Sequence, residues 1–296
     1  MYPLDYIQPV YRPPSEAYSL ILQVTNGCSW NQCTFCDMYT AEQKHFKPKS
    51  QADINQELDL IVASGQPVRR IFLADGDAMA LSFRRLRAIL ESIKSTLPNV
   101  QRVSSYCLPR NLKNKTVEQL AELEVLGLKL LYVGCESGDD EVLAKIRKGE
   151  SFESSREALQ KIKQAGIKSS VMILNGMGGL HYSEQHAINS ARLMNYAQPE
   201  YLATLVVSLP MGEQRIQSGF GGQFKALKQV QLFREISLFL EKLELEKTIF
   251  RSDHASNYLI LKGVLNKDKE KLLAQVEQAI EQPKTASLRQ EWQRGL

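Results

Sequence analysis

Six short apolar runs alternate with amphipathic stripes across the first two thirds of the chain, and that alternation limits the fold more than any other feature. The runs are Ser19–Val24, Arg70–Ala74, Val100–Cys107, Leu130–Cys135, Lys168–Leu174 and Tyr201–Leu209. Between them, Ile54, Leu58, Ile61 and Val62 recur at helical spacing behind an N-cap at Ser50, and Leu86, Ile89, Leu90 and Ile93 do the same further on. Thr116-Val-Glu-Gln119 reads as a capping box ahead of Leu120, Leu123 and Leu126. Helices are predicted over 140–148, 154–165 and 183–196. Strands that alternate with helices imply βαβ units and parallel pairing. The runs lack period-two alternation, which suits a sheet covered on both faces. The prediction is an α/β fold, a partial (β/α)6 TIM-like barrel over 17–210.

A Tyr- and Pro-rich lead-in over 1–16 is expected to lie along the first strand, and the segment 211–296 is expected to form a helical C-terminal extension acting as cover or substrate region. Within it, 214–222 is polar and Gly-rich and reads as a loop or lid. Helices are predicted over 224–243, with Leu227, Val230, Phe233 and Leu240 inside, and over 268–282. His254-Ala-Ser-Asn-Tyr258 is a polar stretch whose histidine reads more readily as a structural group than as a ligand. The tail 283–296, with Lys284, Arg289 and Arg294, is predicted to be basic and loose.

With 296 residues and a net charge of +4, the chain can build a sizeable core but carries no strong electrostatic signature of nucleic-acid binding. No apolar run approaches the ~20 residues of a membrane span. The start of the chain lacks the basic and apolar regions of a signal peptide, so reduced thiols and a cytoplasmic location are expected.

Three of the five cysteines, Cys28, Cys33 and Cys36, share one loop after the first strand. Three thiolates cannot pair off among themselves, and soft sulfur ligands favour zinc or iron–sulfur centres. His45 can complete a structural zinc site. Cys107 or Cys135 can complete a fully ligated electron-transfer cluster, although each sits near a strand end where a cysteine is usually core filling. The third option is a four-iron cluster with one iron left open to chelate a substrate.

From Ser19 to about Pro210, the cysteine loop and the strand-end segments together resemble the radical S-adenosylmethionine (SAM) superfamily. Cys28, Cys33 and Cys36 carry one more residue in the first gap than the commonest spacing. The resemblance implies that these three hold a [4Fe-4S] cluster whose fourth iron takes the amine and carboxylate of SAM, and that reductive cleavage gives a 5′-deoxyadenosyl radical that abstracts hydrogen from a substrate. It also implies cofactor contacts: Phe35 beside the adenine, Asp75-Gly76-Asp77 at the amino group, Glu136 at the ribose hydroxyls, Lys148 (with Arg147 as its competitor) at the carboxylate, and Gly176 against the adenine. The chain looks nearest to branches that include the oxygen-independent coproporphyrinogen oxidases and the tRNA methylthiotransferases. A small-molecule substrate is expected ahead of RNA, with a reductase such as flavodoxin or ferredoxin as electron donor and no membrane partner. A tRNA-modifying enzyme working through the basic tail is the alternative, and a non-catalytic zinc protein or an electron-transfer iron–sulfur protein is the rival from another class.

Overall fold

The computed structural model describes residues 3–295. The first two residues of the predicted lead-in and Leu296 of the predicted tail lie outside the described residues. The chain divides into two compact units, one built from residues 1–31, 38–133 and 160–169, the other from 32–37, 134–159 and 170–296.

In the first unit, β1 (Leu20–Gln23) leads into a short antiparallel ribbon of β2 (Thr25–Asn26) and β3 (Lys47–Pro48). Then come α1 (Gln51–Ala63), β4 (Arg70–Ala74), α2 (Phe83–Thr96), β5 (Arg102–Cys107), α3 (Val117–Val125) and β6 (Leu128–Glu136). β1, β4, β5 and β6 pair in that order, all parallel. The helices start where the sequence puts their caps. Ser50 accepts from the Asp53 N–H, and Thr116 and Gln119 exchange bonds as a capping box. Leu86, Ile89, Leu90 and Ile93 are all buried on α2. On α1, however, Val62 is 51% exposed, because the buried face is set by Ile54, Leu58 and Ile61 alone. The lead-in does lie along β1: the Tyr6 hydroxyl donates to the Ile21 carbonyl at 2.9 Å, and Arg12 to that of Ser19 at 3.1 Å. It thereby satisfies an edge strand's exposed backbone groups.

The second unit contains α4 (Asp140–Lys145), most of α5 (Phe152–Gln164) and β7 (Lys168–Asn175), then α6 (Gly179–Ala197) and β8 (Tyr201–Val206). α7 (Gln214–Gly219), α8 (Gln229–Lys242), β9 (Ile249–Ser252), β10 (Leu261–Val264) and α9 (Lys269–Glu281) follow. β7, β8 and β9 are parallel, and β10 closes antiparallel on β9. So the region beyond 210 contributes strands as well as helices.

Three sequence expectations change here. The polar stretch 214–222 is not an open loop, since α7 buries Ile216 and Phe220 against Val142, Leu143, Ile146 and Met177. The helix predicted over 224–243 begins only at Gln229, and Val230 is exposed. Nor is the tail loose. Arg289 donates to the backbone carbonyls of His254 (2.5 Å) and Asn257 (3.1 Å), Arg294 donates to that of Ser256 (2.8 Å), and Leu288 pairs with Leu259. Its arginines are held by backbone acceptors around the 254–258 segment, and the Arg294 guanidinium also stacks 3.7 Å from the Tyr258 ring centre.

Candidate functional site

In the first unit, β2 ends at Asn26, and Gly27 follows it, one residue before Cys28. Gly27 adopts φ 68°, and an added Cβ would strike the Lys44 carbonyl, so both conformation and space require glycine. Lys44 itself is fully buried. Its ammonium pairs with Asp75 and donates to the Ile7 carbonyl (2.6 Å) and Asn26 Oδ1 (3.3 Å). Asp75 also takes Gln23 Nε2 at 3.3 Å and the Gly76 N–H at 2.7 Å. Gly76 lies against the Tyr39 ring, which a Cβ would overlap. Asp77 accepts from the Ser29 hydroxyl and, at 3.3 Å, from the Ser29 N–H. Burial raises its pKa, and the Ser29 bonds, Asn111 and the charge of Arg110 pull the other way. The turn after β4 is therefore tied to the residue that follows Cys28, and Asp75 in particular is committed to internal partners.

In the second unit, the Cys33–Cys36 segment is pinned by its backbone. The Thr34 N–H donates to the Ile146 carbonyl at 2.9 Å, and Arg215 of α7 donates to the Cys33 and Cys36 carbonyls. Phe35 packs against the core formed by α4, the end of β7 and α7. Its ring centre lies 6.0 Å from Lys148 Nζ.

Lys148 and Glu136 form a buried pair, Nζ to Oε1 at 2.9 Å, with side chains 4% and 6% exposed. Burial works to lower the lysine pKa, but the charges of Glu136 and Cys33 outweigh it, so the net shift is upward. Arg147 is exposed, and of the two cations at the end of α4 it is Lys148 that pairs with Glu136. Glu136 sits at φ 64°, a left-handed conformation that costs a non-glycine residue on the order of 1–3 kcal/mol. A Cβ on Gly134 would collide with Glu136 Oε1. The other carboxylate oxygen, Oε2, is buried with no hydrogen-bond partner. A buried carboxylate oxygen of this kind is costly unless a donor reaches it.

Gly176 at the end of β7 has φ 89° and lies against Leu232 of α8. Its N–H donates at 2.5 Å to Glu235, which also takes Asn175 Nδ2 at 2.7 Å and the Ser183 hydroxyl at 2.6 Å. His186 bridges the two strand-end turns of this unit, with Nδ1 2.8 Å from the Ser137 hydroxyl and Nε2 3.0 Å from the Leu174 carbonyl. Arg215, Glu235, His186 and Lys44 were all missed from sequence. The Ile216–Phe220 spacing of α7 was the available signal for the first of them. The 254–258 segment is structural, since Asn257 bonds the Val206 N–H (2.7 Å) and the Thr204 carbonyl (2.9 Å).

Among the described residues, no three His, Cys, Asp or Glu side chains converge on a point suited to a single metal ion. A cubane does not need such a point, because it takes each thiolate on a different iron. His45, on which a zinc site would call, is exposed. Cys135 is wholly buried, and burial pushes its thiol up to about 12. Cys107 is buried with Sγ 3.3 Å from the Leu108 carbonyl.

Comparison with known proteins bears on this geometry. The chain is 24% identical over 168 residues to the heme chaperone HemW of Bacillus subtilis, covering 54% of this chain and 43% of that one. It is 29% identical over 168 residues to a tRNA-2-methylthio-N(6)-dimethylallyladenosine synthase of Dehalococcoides mccartyi, covering 55% and 38%. The chain thus spans less than half the length of these relatives. Among solved structures, methylornithine synthase superposes with a TM-score of 0.50 at 18% identity, over 77% of this chain and 63% of that one. The methyltransferase TsrM of Kitasatospora setae, with tryptophan and a SAM analogue bound, gives 0.52 at 19% identity, over 65% and 37%. These likenesses establish the fold, that of the TIM-like radical SAM barrels. The family model for the radical SAM superfamily matches residues 22–194, more than half of the chain, and the protein belongs to that superfamily.

Proposed function

We propose that the protein is a radical SAM enzyme in which Cys28, Cys33 and Cys36 hold a [4Fe-4S] cluster with one iron left for SAM. The observation that carries this reading is the three-cysteine loop itself, placed directly after the first strand of a chain whose residues 22–194 match the family. The residues present fit the two cofactors. Three thiolates suit a cubane with an open corner. The unpartnered Glu136 Oε2 fits a ribose hydroxyl donor.

When bound and reduced, the cluster and SAM together supply one-electron cleavage of the sulfonium and abstraction of hydrogen from a substrate. The chain's own work is binding, orientation and exclusion of water. Glu136 accepts from the nucleoside through the oxygen left over from its bond to Lys148. Lys148 neutralises Glu136 and holds that carboxylate still. Phe35 presents a ring suited to a flat base, and the Gly176 turn beyond β7 is held in place by Glu235. Asp77 holds Ser29 and so anchors the loop beside Cys28. Asp75 acts one step further back, by securing the turn through Lys44. A one-electron donor of the flavodoxin or ferredoxin type supplies the electron.

A small-molecule substrate is the preferred reading. The arginines that the RNA alternative relied on, Arg289 and Arg294, already donate to backbone carbonyls. RNA binding that weakens steeply with salt would reverse that preference.

Anaerobic reconstitution followed by dithionite and SAM tests the reading, with 5′-deoxyadenosine measured by chromatography. About four irons and four sulfides per chain are expected, and Cys28→Ala, Cys33→Ala or Cys36→Ala each abolishes product. Cys107→Ala retains it. Product formation by a triad variant, or its loss in Cys107→Ala, refutes the ligand assignment.

A further inference from the structure

α7 places one cation against the cysteine segment. Arg215 Nη1 donates to the Cys36 carbonyl at 2.6 Å and to Asp37 Oδ1 at 2.5 Å, while Nη2 donates to the Cys33 carbonyl at 2.8 Å. A guanidinium fork is suited to such a task, because its donors are fixed in one plane. Cys33 and Cys36 are the two residues whose carbonyls it takes, so the curl of the backbone between them is set by a single side chain nearly 180 positions away. α7 itself has little freedom. Ile216 and Phe220 are buried in the core, and Gly219 lies so close to the end of α4 that a Cβ would strike the Lys145 carbonyl. From the other side, the Thr34 N–H is held by the Ile146 carbonyl of the same α4 corner.

We infer that Arg215 is the positioning residue of the cluster loop, holding Cys33 and Cys36 in their ligating arrangement and raising the reduction potential of the centre they bind. This rests on the cluster reading above. Reduction adds one electron to the cluster, taking it from the +2 to the +1 state. A fixed positive charge beside it favours the more negative state. Asp37 opposes that effect, since its carboxylate pairs with the same guanidinium. The two residues therefore have opposite signs. Loss of Arg215 removes a positive charge from beside the Asp37 carboxylate, lowering the potential. Loss of the Asp37 charge leaves Arg215 uncompensated, raising it.

The test uses the full chain, reconstituted anaerobically, with iron and sulfide content, cluster half-life under a chelator, and midpoint potential by EPR-monitored titration with dithionite. Arg215→Ala is expected to show a lower potential and several-fold faster cluster loss. Arg215→Lys keeps the charge without the fork, so it should hold the wild-type potential and still lose its cluster faster. Asp37→Asn should shift the potential upward. Should Arg215→Ala fail to fold by circular dichroism, Arg215→Lys and Asp37→Asn still decide the matter. Wild-type potential and half-life in every folded variant, or a shift of the same sign in Arg215→Ala and Asp37→Asn, overturns the inference. A wild-type chain that binds no four-iron cluster sinks the reading under Proposed function, and this inference with it. A wild type that binds one beside variants that do not differ sinks this inference alone.

Discussion

Two buried lysine–carboxylate pairs, one in each unit, share their chemistry and differ in what they leave over. In the first unit, Lys44 and Asp75 are completely enclosed. Backbone and amide groups of Ile7, Asn26, Gln23 and Gly76 take up their remaining donors and acceptors. In the second, Glu136 gives one oxygen to Lys148 and keeps the other buried without a partner, on a residue held in a left-handed conformation. A saturated pair needs no further ligand and fastens β1 and β2 to the turn after β4. An unsaturated pair carries a desolvation cost that a ligand's donor can relieve. Both pairs lie at strand ends in segments expected to meet SAM, so position alone does not separate support from contact. Hydrogen-bond satisfaction is what differs between them.

The largest effect should come from breaking the closed pair. Lys44→Met leaves Asp75 charged and buried, and removal of one partner from such a pair typically costs about 3–5 kcal/mol. Denaturant unfolding should show that loss, and Lys44→Met/Asp75→Leu should recover much of it by removing the stranded charge. A loss under about 1 kcal/mol would mean that water reaches Asp75 after all, and the contrast with Glu136 would disappear.

Glu136→Gln sharpens the contrast from the other side. A hydrogen bond to a charged group contributes about 1.5–3 kcal/mol, so SAM affinity of the reconstituted protein should fall about 10- to 100-fold. Saturating SAM, at 100 times its Kd, should raise wild-type stability by about 2.7 kcal/mol. Lys44→Met should keep most of that increment and Glu136→Gln, at the same SAM concentration, should lose about half of it or more. The reverse pattern would exchange the roles assigned to the two pairs. Gly134→Ala is the milder version: its Cβ displaces Glu136 Oε1, so SAM binding should weaken several-fold with a stability change within about 1 kcal/mol. Equilibrium dialysis with labelled SAM measures both.

What the sequence made legible is what short-range physics decides. The caps at Ser50 and Thr116 and the buried face of α2 each rest on residues a few positions apart, and each stands where the pattern put it. Lys44 reaches Asp75 across 31 positions, Glu235 reaches Gly176 across 59, and Arg215 reaches Asp37 across 178. No local period marks such pairs, and a charged residue in a polar stretch reads as solvated until the fold encloses it. The same limit explains the tail, whose arginines look like a basic surface in sequence yet spend their donors on nearby carbonyls. It also explains 214–222, where glycine and polar content hid the two apolar residues that seat α7.

The smallest expected effect separates the units by pH. Burial raises the pKa of Asp77, so the folded chain binds its proton more tightly than the unfolded chain, whose aspartates titrate near about 3.9. Stability then falls as pH rises from the unfolded value through the raised folded one. Asp139 goes the other way. Burial pushes its pKa up, but the Val142 N–H, Gln185, Asn189 and His186 more than offset that, and the folded value is depressed. Its contribution is present above the unfolded pKa and is lost as pH falls through the folded one. Asp77→Asn should therefore gain on the wild type in going from pH 3 to pH 7, while Asp139→Asn should lose. Asparagine can still cap α4 at position 139, so the charge is what changes there. Guanidinium unfolding of cluster-free protein across that range reads both. Parallel slopes for the two variants would show that the aspartates share one electrostatic environment, and the division drawn between a strained acceptor and a satisfied one would not extend to them.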